Sequence, residues 1–533
     1  MLVLKRIVTS FLYLAISVAL VACTTNKNES KYLSKQDSKQ ISIDTLIVNG
    51  EVYLGDSSKA HNLDIAICGE IICGIYASGS ANIDAKHVID AAGKVVSPGF
   101  IDPHTHSLSE LLSTKQNHNL NYLTQGVTTV INGNDGDGEP DISKLKLALL
   151  NNGIGTNTGL LIGHGKIREK VIGKVQRNAT PDEIKQMSAL VEQGMKAGAL
   201  GLSSGLYYVP GSFANTNEVI ELAKVAAKYQ GIYDTHIRDE STFSIGFLAA
   251  IDEAITIADK ANIHLHLAHI KALGVDVWGQ SKPAVNKINE AIKRGISISA
   301  DQYPWLASGT FLRSAIMPKW LMADSKAAFH QRLKKASLMP KIITEVNENI
   351  RRRGGAKSLV ITKYHQQELV GLSLAQFAEN NNQSAVQAAI DLILDGDVRV
   401  ASFNMSAQDV EHFMVQPWVV TSSDGTDGHP RKYASFPQKY QKYVKDKSLL
   451  TLGEFIHRAT GLTAKYLQLD NRGILKKGYQ ADLIVLDKDK YQANATYQQW
   501  NNYSSGVEHV WVNGQQTILA GKYLGTLAGQ ISH

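Results

Sequence analysis

Cysteine is scarce. Cys23, Cys68 and Cys73 are the three in a chain of 533 residues, too few for a disulfide framework or a cysteine-built structural metal site. Dense Lys/Arg blocks are missing as well. The formal charge of +6 is spread along the chain, and Lys5 and Arg6 stand in an N-terminal leader, so no nucleic-acid partner is expected. The apolar stretch of that leader, Ile7 to Ala22, is 16 residues long, too short for a comfortable transmembrane span. Low hydrophobicity is not a feature either: 44% apolar and 20% charged residues exclude widespread disorder and allow a large core. The length fits roughly two to four average domains, or one large α/β barrel with an accessory domain.

The leader reads as an export signal. A short positive region is followed by the apolar stretch, which closes in Leu20-Val21-Ala22-Cys23. A small residue directly before cysteine resembles the lipobox of bacterial lipoproteins, where Cys23 is acylated and becomes the new N-terminus; a plain signal peptide with a chance cysteine is the alternative. On the first reading residues 1–23 are the signal and 24–42, rich in Lys, Ser, Asn and Gln, are a flexible tether. The protein is then exported and lipid-anchored to a bacterial membrane, facing the periplasm or the cell surface. Export would allow Cys68 and Cys73 to oxidise. They flank a Gly69-Glu70 hairpin turn, and a two-residue turn sets Cys68 opposite Ile71 and Ala66 opposite Cys73, so the thiols are diagonal neighbours and a disulfide is possible but not favoured.

Farther along, short apolar runs alternate with amphipathic ones. Val95 to Ile101, Gly126 to Asn132, Gly159 to Gly163, Ala199 to Ser203, Gly231 to Thr235, Ile263 to Ala268, Ile296 to Ala300 and Pro417 to Thr421 read as buried strands. Between them lie helical stretches such as Pro181 to Lys196, introduced by a Thr180-Pro181-Asp182-Glu183 capping box. Parallel βα units are implied, and eight of them imply a (β/α)8 TIM barrel. Residues 304–397 break the repeat and read as an insertion, followed by an added apolar run, Val398 to Phe403. Both ends of the chain, Asp44 to Asp90 and the segments around Ala481 to Asp487 and Val507 to Gly514, alternate apolar and polar residues. Antiparallel β structure is expected there, forming one small domain from residues 43–96 and 466–533, with the barrel over 97–465.

The chemistry-bearing residues collect at one end of the expected barrel. His104 and His106 follow the first strand in Asp102-Pro103-His104-Thr105-His106, two apart and so on one face of an extended chain. Asp135 follows the second strand, His236 ends the fifth, His269 ends the sixth and Asp424 follows the eighth. All six fall at carboxyl ends, where barrel enzymes place their active sites, and imidazoles with carboxylates are the donor set of a catalytic zinc. Strand parity puts His269 on the face of Leu265 and Leu267, opposite His264 and His266, which read as structural. His164 also ends a strand, with an outer role as plausible as ligation. Arg238 reads as a salt-bridge partner of Asp239 or Glu240, with a place beside the substrate as the alternative.

Together, Gly99-Phe100-Ile101-Asp102-Pro103-His104-Thr105-His106, Ser203-Ser204-Gly205-Leu206, Thr235-His236-Ile237-Arg238, His269-Ile270-Lys271, Ser423-Asp424-Gly425, His429-Pro430-Arg431 and the stretch Gly473 to Leu483 resemble the N-acyl-D-amino-acid deacylases (D-aminoacylases) of the amidohydrolase superfamily. The resemblance covers nearly everything after the tether. It implies a distorted barrel with a β-sandwich and an inserted subdomain, a Zn2+ cofactor of one or two ions, and hydrolysis of small N-acyl-D-amino acids. It implies metal ligation by His236, His269 and Asp135, with His104 and His106 completing the site or binding a second ion, and Asp424 as general base and then acid. It implies Lys271 and Arg431 for the substrate α-carboxylate, with Tyr208 and Tyr303 near the substrate or simply packing. One departure stands out: the family carries a ligating cysteine in a Gly-Asn-Cys-Gly stretch where this chain has Asp135, a harder and weaker donor. Rival readings are a D-dipeptidase or cyclic-amide hydrolase with the same metal set, and a non-catalytic surface-anchored binding lipoprotein.

Overall fold

The computed structural model describes residues 42–79 and 84–532; the leader, Cys23 and nearly all of the tether lie outside them. The centre is a parallel barrel of eight strands, β1 (Phe100–Asp102), β2 (Val127–Asn132), β3 (Asn157–Gly163), β4 (Gly201–Gly205), β5 (Ile232–His236), β6 (His264–Leu267), β7 (Ile298–Gln302) and β8 (Val419–Thr421), each paired with its neighbour in chain order. Nearly every residue in these strands is buried, because helices cover the outside while side chains fill the interior. Helix Pro181–Lys196 shows the pattern: Thr180 and Glu183 close the expected capping box, and Met187, Val191 and Met195 face the core.

The barrel nearly closes. β1 and β8 share no ladder, but Thr105 and Gly425 form a parallel bridge just beyond their ends. Asp424 N donates to His104 O at 3.0 Å, and Ser423 N donates to the Asp102 carboxylate at 3.1 Å. The seam is therefore stitched at the face that carries the imidazoles.

Three expectations are corrected. First, Val95 to Ile101 is not one strand. Val95–Pro98 runs antiparallel to Leu483–Leu486 in another sheet, and the chain enters the barrel only at Phe100. Gly99 makes the crossing possible, since a Cβ there would lie 2.1 Å from Thr128 Oγ1. Second, the sheet built from both chain ends is mixed rather than antiparallel: Ile43–Val48 pairs parallel with Ala85–Asp90, and Glu51–Tyr53 with Val95–Pro98. Its ten strands include four from the C-terminal segment, and Ile65, Ile67, Val96, Leu483, Val485 and Trp511 share one core.

Third, Cys68 and Cys73 are joined in a disulfide with Cα atoms 5.6 Å apart. The simple hairpin register missed a bulge. Cys68 opposes Ile71 and Ile67 opposes Ile72, but Ala66 opposes Gly74, so Cys73 is the extra residue and its side chain is re-aimed toward Cys68.

The insertion folds around its own core. Ala307–Phe311, Leu359–Lys363 and Arg399–Phe403 form a three-stranded antiparallel sheet with the last strand in the middle. Leu312, Ile316, Leu321, Phe329, Ile342 and Val346 pack beneath it. The apolar run from Val398 thus belongs to the inserted body.

Candidate metal centre

The six residues singled out at strand ends converge. The Asp135 carboxylate is ringed by four imidazoles: His269 Nε2 lies 3.3 Å from Oδ1, His104 Nε2 3.5 Å and His236 Nδ1 3.6 Å, while His106 Nε2 lies 3.6 Å from Oδ2. Asp424 Oδ1 is 3.4 Å from His106 Nε2 and 3.8 Å from His104 Nε2. Two ligands about 2.1 Å from one tetrahedral ion are about 3.4 Å apart, so these spacings are those of a coordination sphere. They are too long for good hydrogen bonds, with His269 the nearest approach. Both ring nitrogens of His104 and both of His236 are buried with no hydrogen-bond partner. Orphaned imidazoles around a carboxylate fit a divalent cation.

Three overlapping donor groups are present among the described residues. His104, Asp135, His269 and Asp424 present one ligand atom each within 4.8 Å of one another, as do His236, Glu240 and His269, and, as the third group, His104, Asp234 and Asp301.

The backbone that holds them is unusual. Asp135 (φ 58°), His269 (φ 35°) and Asp424 (φ 47°) all have left-handed backbone, which costs an L-residue on the order of 1–2 kcal/mol. Each is pinned. The Asp135 turn seats against Gly205, where a Cβ would lie 2.1 Å from Asp135 O. His269 N donates to Asp301 at 3.0 Å, and Asp424 N is held by the seam described above. The turn at His269 also corrects the parity argument: His269 lies two residues beyond the end of β6 and reaches the cluster. His266 points into the barrel as well, where its Nε2 meets Asp301 Oδ2 at 2.9 Å. His264 meets Ser297 and Ser299. Neither is in a donor group, in keeping with the structural reading.

Electrostatics follow from crowding. Burial opposes ionisation of Asp135, but the His104 and His269 imidazoles outweigh it and hold the carboxyl well below its usual range. At Asp424, burial is again outweighed, here by Arg431 and His269. At two other buried carboxyls burial wins: it pushes Asp102 up to about 7 against hydrogen bonds from Ser423 and His104, and Asp234 up to about 6 against the His104 and His266 imidazoles.

The expected substrate residues lie around the cluster, though with unforeseen partners. Lys271 Nζ donates to Glu240 at 2.5 Å and meets His269 Nδ1 at 2.7 Å. Arg431 pairs with Asp424 Oδ2 at 2.8 Å and donates to Gly309 O and Thr426 Oγ1. Tyr303 is buried, with its hydroxyl unpartnered and Arg431 stacked 4.7 Å over its ring. Tyr208 packs edge-on against His236 with centroids 4.7 Å apart. His164 Nε2 meets Glu218 at 2.8 Å, and the residue is in none of the donor groups found among the described residues. Arg238 is structural, but its partner is Glu253 rather than Asp239 or Glu240.

Sequence reasoning missed Glu240 and Asp301 as members of the site. Glu240 stands four residues after His236, a visible spacing; Asp301 is the last residue but one of β7 and has no ligand-like motif around it in the sequence. A cavity of about 460 Å³ opens over the cluster, with His106, Asp135, His236, His269 and Asp424 in its wall.

Residues 87–518 match the model of an amidohydrolase family. The chain belongs to the amidohydrolase family. It is similar to a D-aminoacylase of Alcaligenes xylosoxydans xylosoxydans, with 28% identity over 94% of this chain and 99% of that one. Among solved structures, a D-aminoacylase described as having a binuclear metal centre superposes with a TM-score of 0.78 at 27% identity, over 92% of this chain and all of the other. An N-acyl-D-glutamate deacylase from Bordetella bronchiseptica, in complex with zinc and a phosphonate inhibitor, gives 0.77 at 26% identity over 92% and 99%. This amidohydrolase is a metal-dependent enzyme of amide hydrolysis.

Proposed function

We propose that this amidohydrolase cleaves N-acyl-D-amino acids to a carboxylate and a D-amino acid, with zinc as its metal. The observation that carries the reading is Asp135 set among four imidazoles at the floor of a cavity that also contains Asp424, Lys271 and Arg431. Similarity to a D-aminoacylase over nearly the whole chain supports the substrate class. Zinc is supported by the donor set and by the zinc held in the similar deacylase.

His236, His269 and Asp135 would hold an ion, with His104 and His106 completing the site or serving a second. A divalent ion there supplies Lewis-acid polarisation of an amide carbonyl and a water acidified toward neutrality. Asp424, kept ionised by Arg431, accepts the proton of the attacking water at Oδ1 and returns it to the departing nitrogen. Arg431 and Lys271 fix the α-carboxylate of the substrate, and Tyr208 and Tyr303 wall it in. A surface-anchored binder with no catalysis would have no reason to keep Asp424 aimed into such a cluster.

Turnover of N-acetyl-D- against N-acetyl-L-amino acids by protein of defined zinc content tests this reading. Hydrolysis of the D series alone is expected. Preference for dipeptides or hydantoins would give the site to a D-dipeptidase or cyclic-amide hydrolase.

We further propose that Cys23 is acylated and anchors the exported protein to a bacterial membrane. The leader sequence supports this, and the Cys68–Cys73 disulfide suits an oxidising compartment. Incorporation of labelled palmitate, lost in Cys23→Ala, is the expected result.

A further inference from the structure

One corner of the barrel is apolar on its outside. Helix Ile142–Asn152 buries Ile142, Leu145 and Leu149, yet it also carries Leu147 and Leu150, which are 62% and 60% exposed. The outward face of a helix ordinarily holds polar residues. Other leucines join them. Leu527 packs on Gly153 just past the helix end, where a Cβ would lie 3.2 Å from its Cδ1. The Asn152 side-chain amide donates to Leu111 O at 2.7 Å, which brings Leu112 to the same corner. Tyr523 packs against His118 with ring centroids 5.7 Å apart, and Leu524 follows it. Leu112, Leu524 and Leu527 are exposed as well. A single surface leucine needs no account, but five converging from three segments do.

Lysines rim this face. Lys144 precedes Leu147 by about one helical turn, Lys115 stands in the loop after Leu112, and Lys522 precedes Tyr523. The two acids of the same segments are engaged elsewhere: Glu110 pairs with Lys432, and Asp141 caps the helix by accepting from Lys144 N at 3.0 Å. The helix delivers the chain to Asn157, the first residue of β3, so Leu150 and Gly153 lie toward the amino end of the barrel. The metal cavity opens at the carboxyl ends.

We propose that this face rests on an anionic lipid surface and turns the mouth of the metal cavity away from it. The inference rests on the reading that Cys23 is acylated. Residues 24–41 span at most about 65 Å, which keeps an anchored chain within reach of lipid and leaves its orientation to be set by the folded surface. Exposed leucines enter the boundary between headgroups and acyl chains, and lysines beside them meet lipid phosphates. A second copy fits the face less well. A two-fold contact would set lysine against lysine, and a few hundred Å² of leucine falls short of the roughly 800 Å² that each side of a stable interface buries.

The test places a nitroxide on the acylated protein in vesicles of phosphatidylglycerol and phosphatidylethanolamine. With Cys68 and Cys73 joined and Cys23 carrying lipid, an added cysteine is the one thiol to label. Leu147→Cys and Leu150→Cys probe the face. Trp278→Cys, exposed in the loop between β6 and helix Ser281–Lys293, is the control on the metal side. None of the three lines the metal cavity, so turnover of each labelled variant reports that it has folded. Oxygen, which concentrates in lipid, and a water-soluble nickel chelate compete to relax each label. The expected oxygen-to-nickel ratio is several-fold higher at the Leu147 and Leu150 positions than at Trp278, and it falls when phosphatidylcholine replaces the anionic lipid. Ratios no higher than at Trp278 on acylated protein would overturn this inference and leave the anchor standing. Spin–spin broadening at the Leu150 position that vanishes on dilution with unlabelled protein would overturn it in favour of a second copy. An intact mass without lipid on Cys23 would overturn the anchor and this inference together.

Discussion

Arg431 grips one oxygen of Asp424 and leaves the other to the cluster: the guanidinium sits 2.8 Å from Oδ2, while Oδ1 faces His106 Nε2 at 3.4 Å. The ion pair fixes which lone pairs of the carboxylate meet an incoming water. On the proposed function it also gives Arg431 two duties, orienting Asp424 and holding substrate. Asp424→Asn should retain metal and lose roughly 10²- to 10⁴-fold in kcat, the usual reach of a general base. Arg431→Lys keeps the charge but loses the fork, so kcat should fall along with a rise in KM. A pure KM effect would remove the orienting duty.

Asp135 occupies the place at which the resemblance implies a thiolate. Asp135→Ala should weaken zinc binding at least about tenfold, since a central donor is lost from a set of imidazoles. Asp135→Cys should bind zinc at least as tightly as the natural chain. Competition against a chromogenic chelator measures both. Equal affinity of the alanine variant and the natural chain would show that the carboxylate is not a ligand.

The Cys68–Cys73 disulfide closes a short loop, with a sequence separation of 5. Chain-entropy arguments give such a loop about 2 kcal/mol. The double variant Cys68→Ser/Cys73→Ser should lower the denaturant midpoint accordingly without changing turnover, because the bulged hairpin belongs to the terminal sheet rather than the barrel.

Lys439 is fully buried and its ammonium finds no hydrogen-bond partner. Burial, and next the Arg458 guanidinium, push it down to about 7, with Asp301 opposing. Between pH 7 and the ordinary lysine value the unfolded chain binds the proton and the folded one does not, so stability rises with pH across that window. From pH 7 to 9 the gain is about 2 kcal/mol from this group. Lys439→Met should flatten that slope in unfolding curves and stabilise the protein most at pH 6. An unchanged slope would contradict the assignment.

The barrel was legible because each strand is a short, nearly continuous apolar run between amphipathic stretches, and the site was legible because its histidines and aspartates end those runs. What escaped was set by geometry that no periodicity encodes. Gly99 lets one apolar run serve two sheets. A bulge at Cys73 carries a thiol to its partner, and a left-handed turn at His269 overrides strand parity. Glu240 and Asp301 were passed over because a lone carboxylate near a histidine has many ordinary explanations.

The most direct measurement is anomalous X-ray diffraction at the zinc edge from crystals of the zinc-loaded protein. The account predicts a peak about 2.0–2.2 Å from an Asp135 oxygen and from the ring nitrogens of His236 and His269. A zinc-loaded crystal whose only peaks lie away from Asp135 and these imidazoles would contradict it.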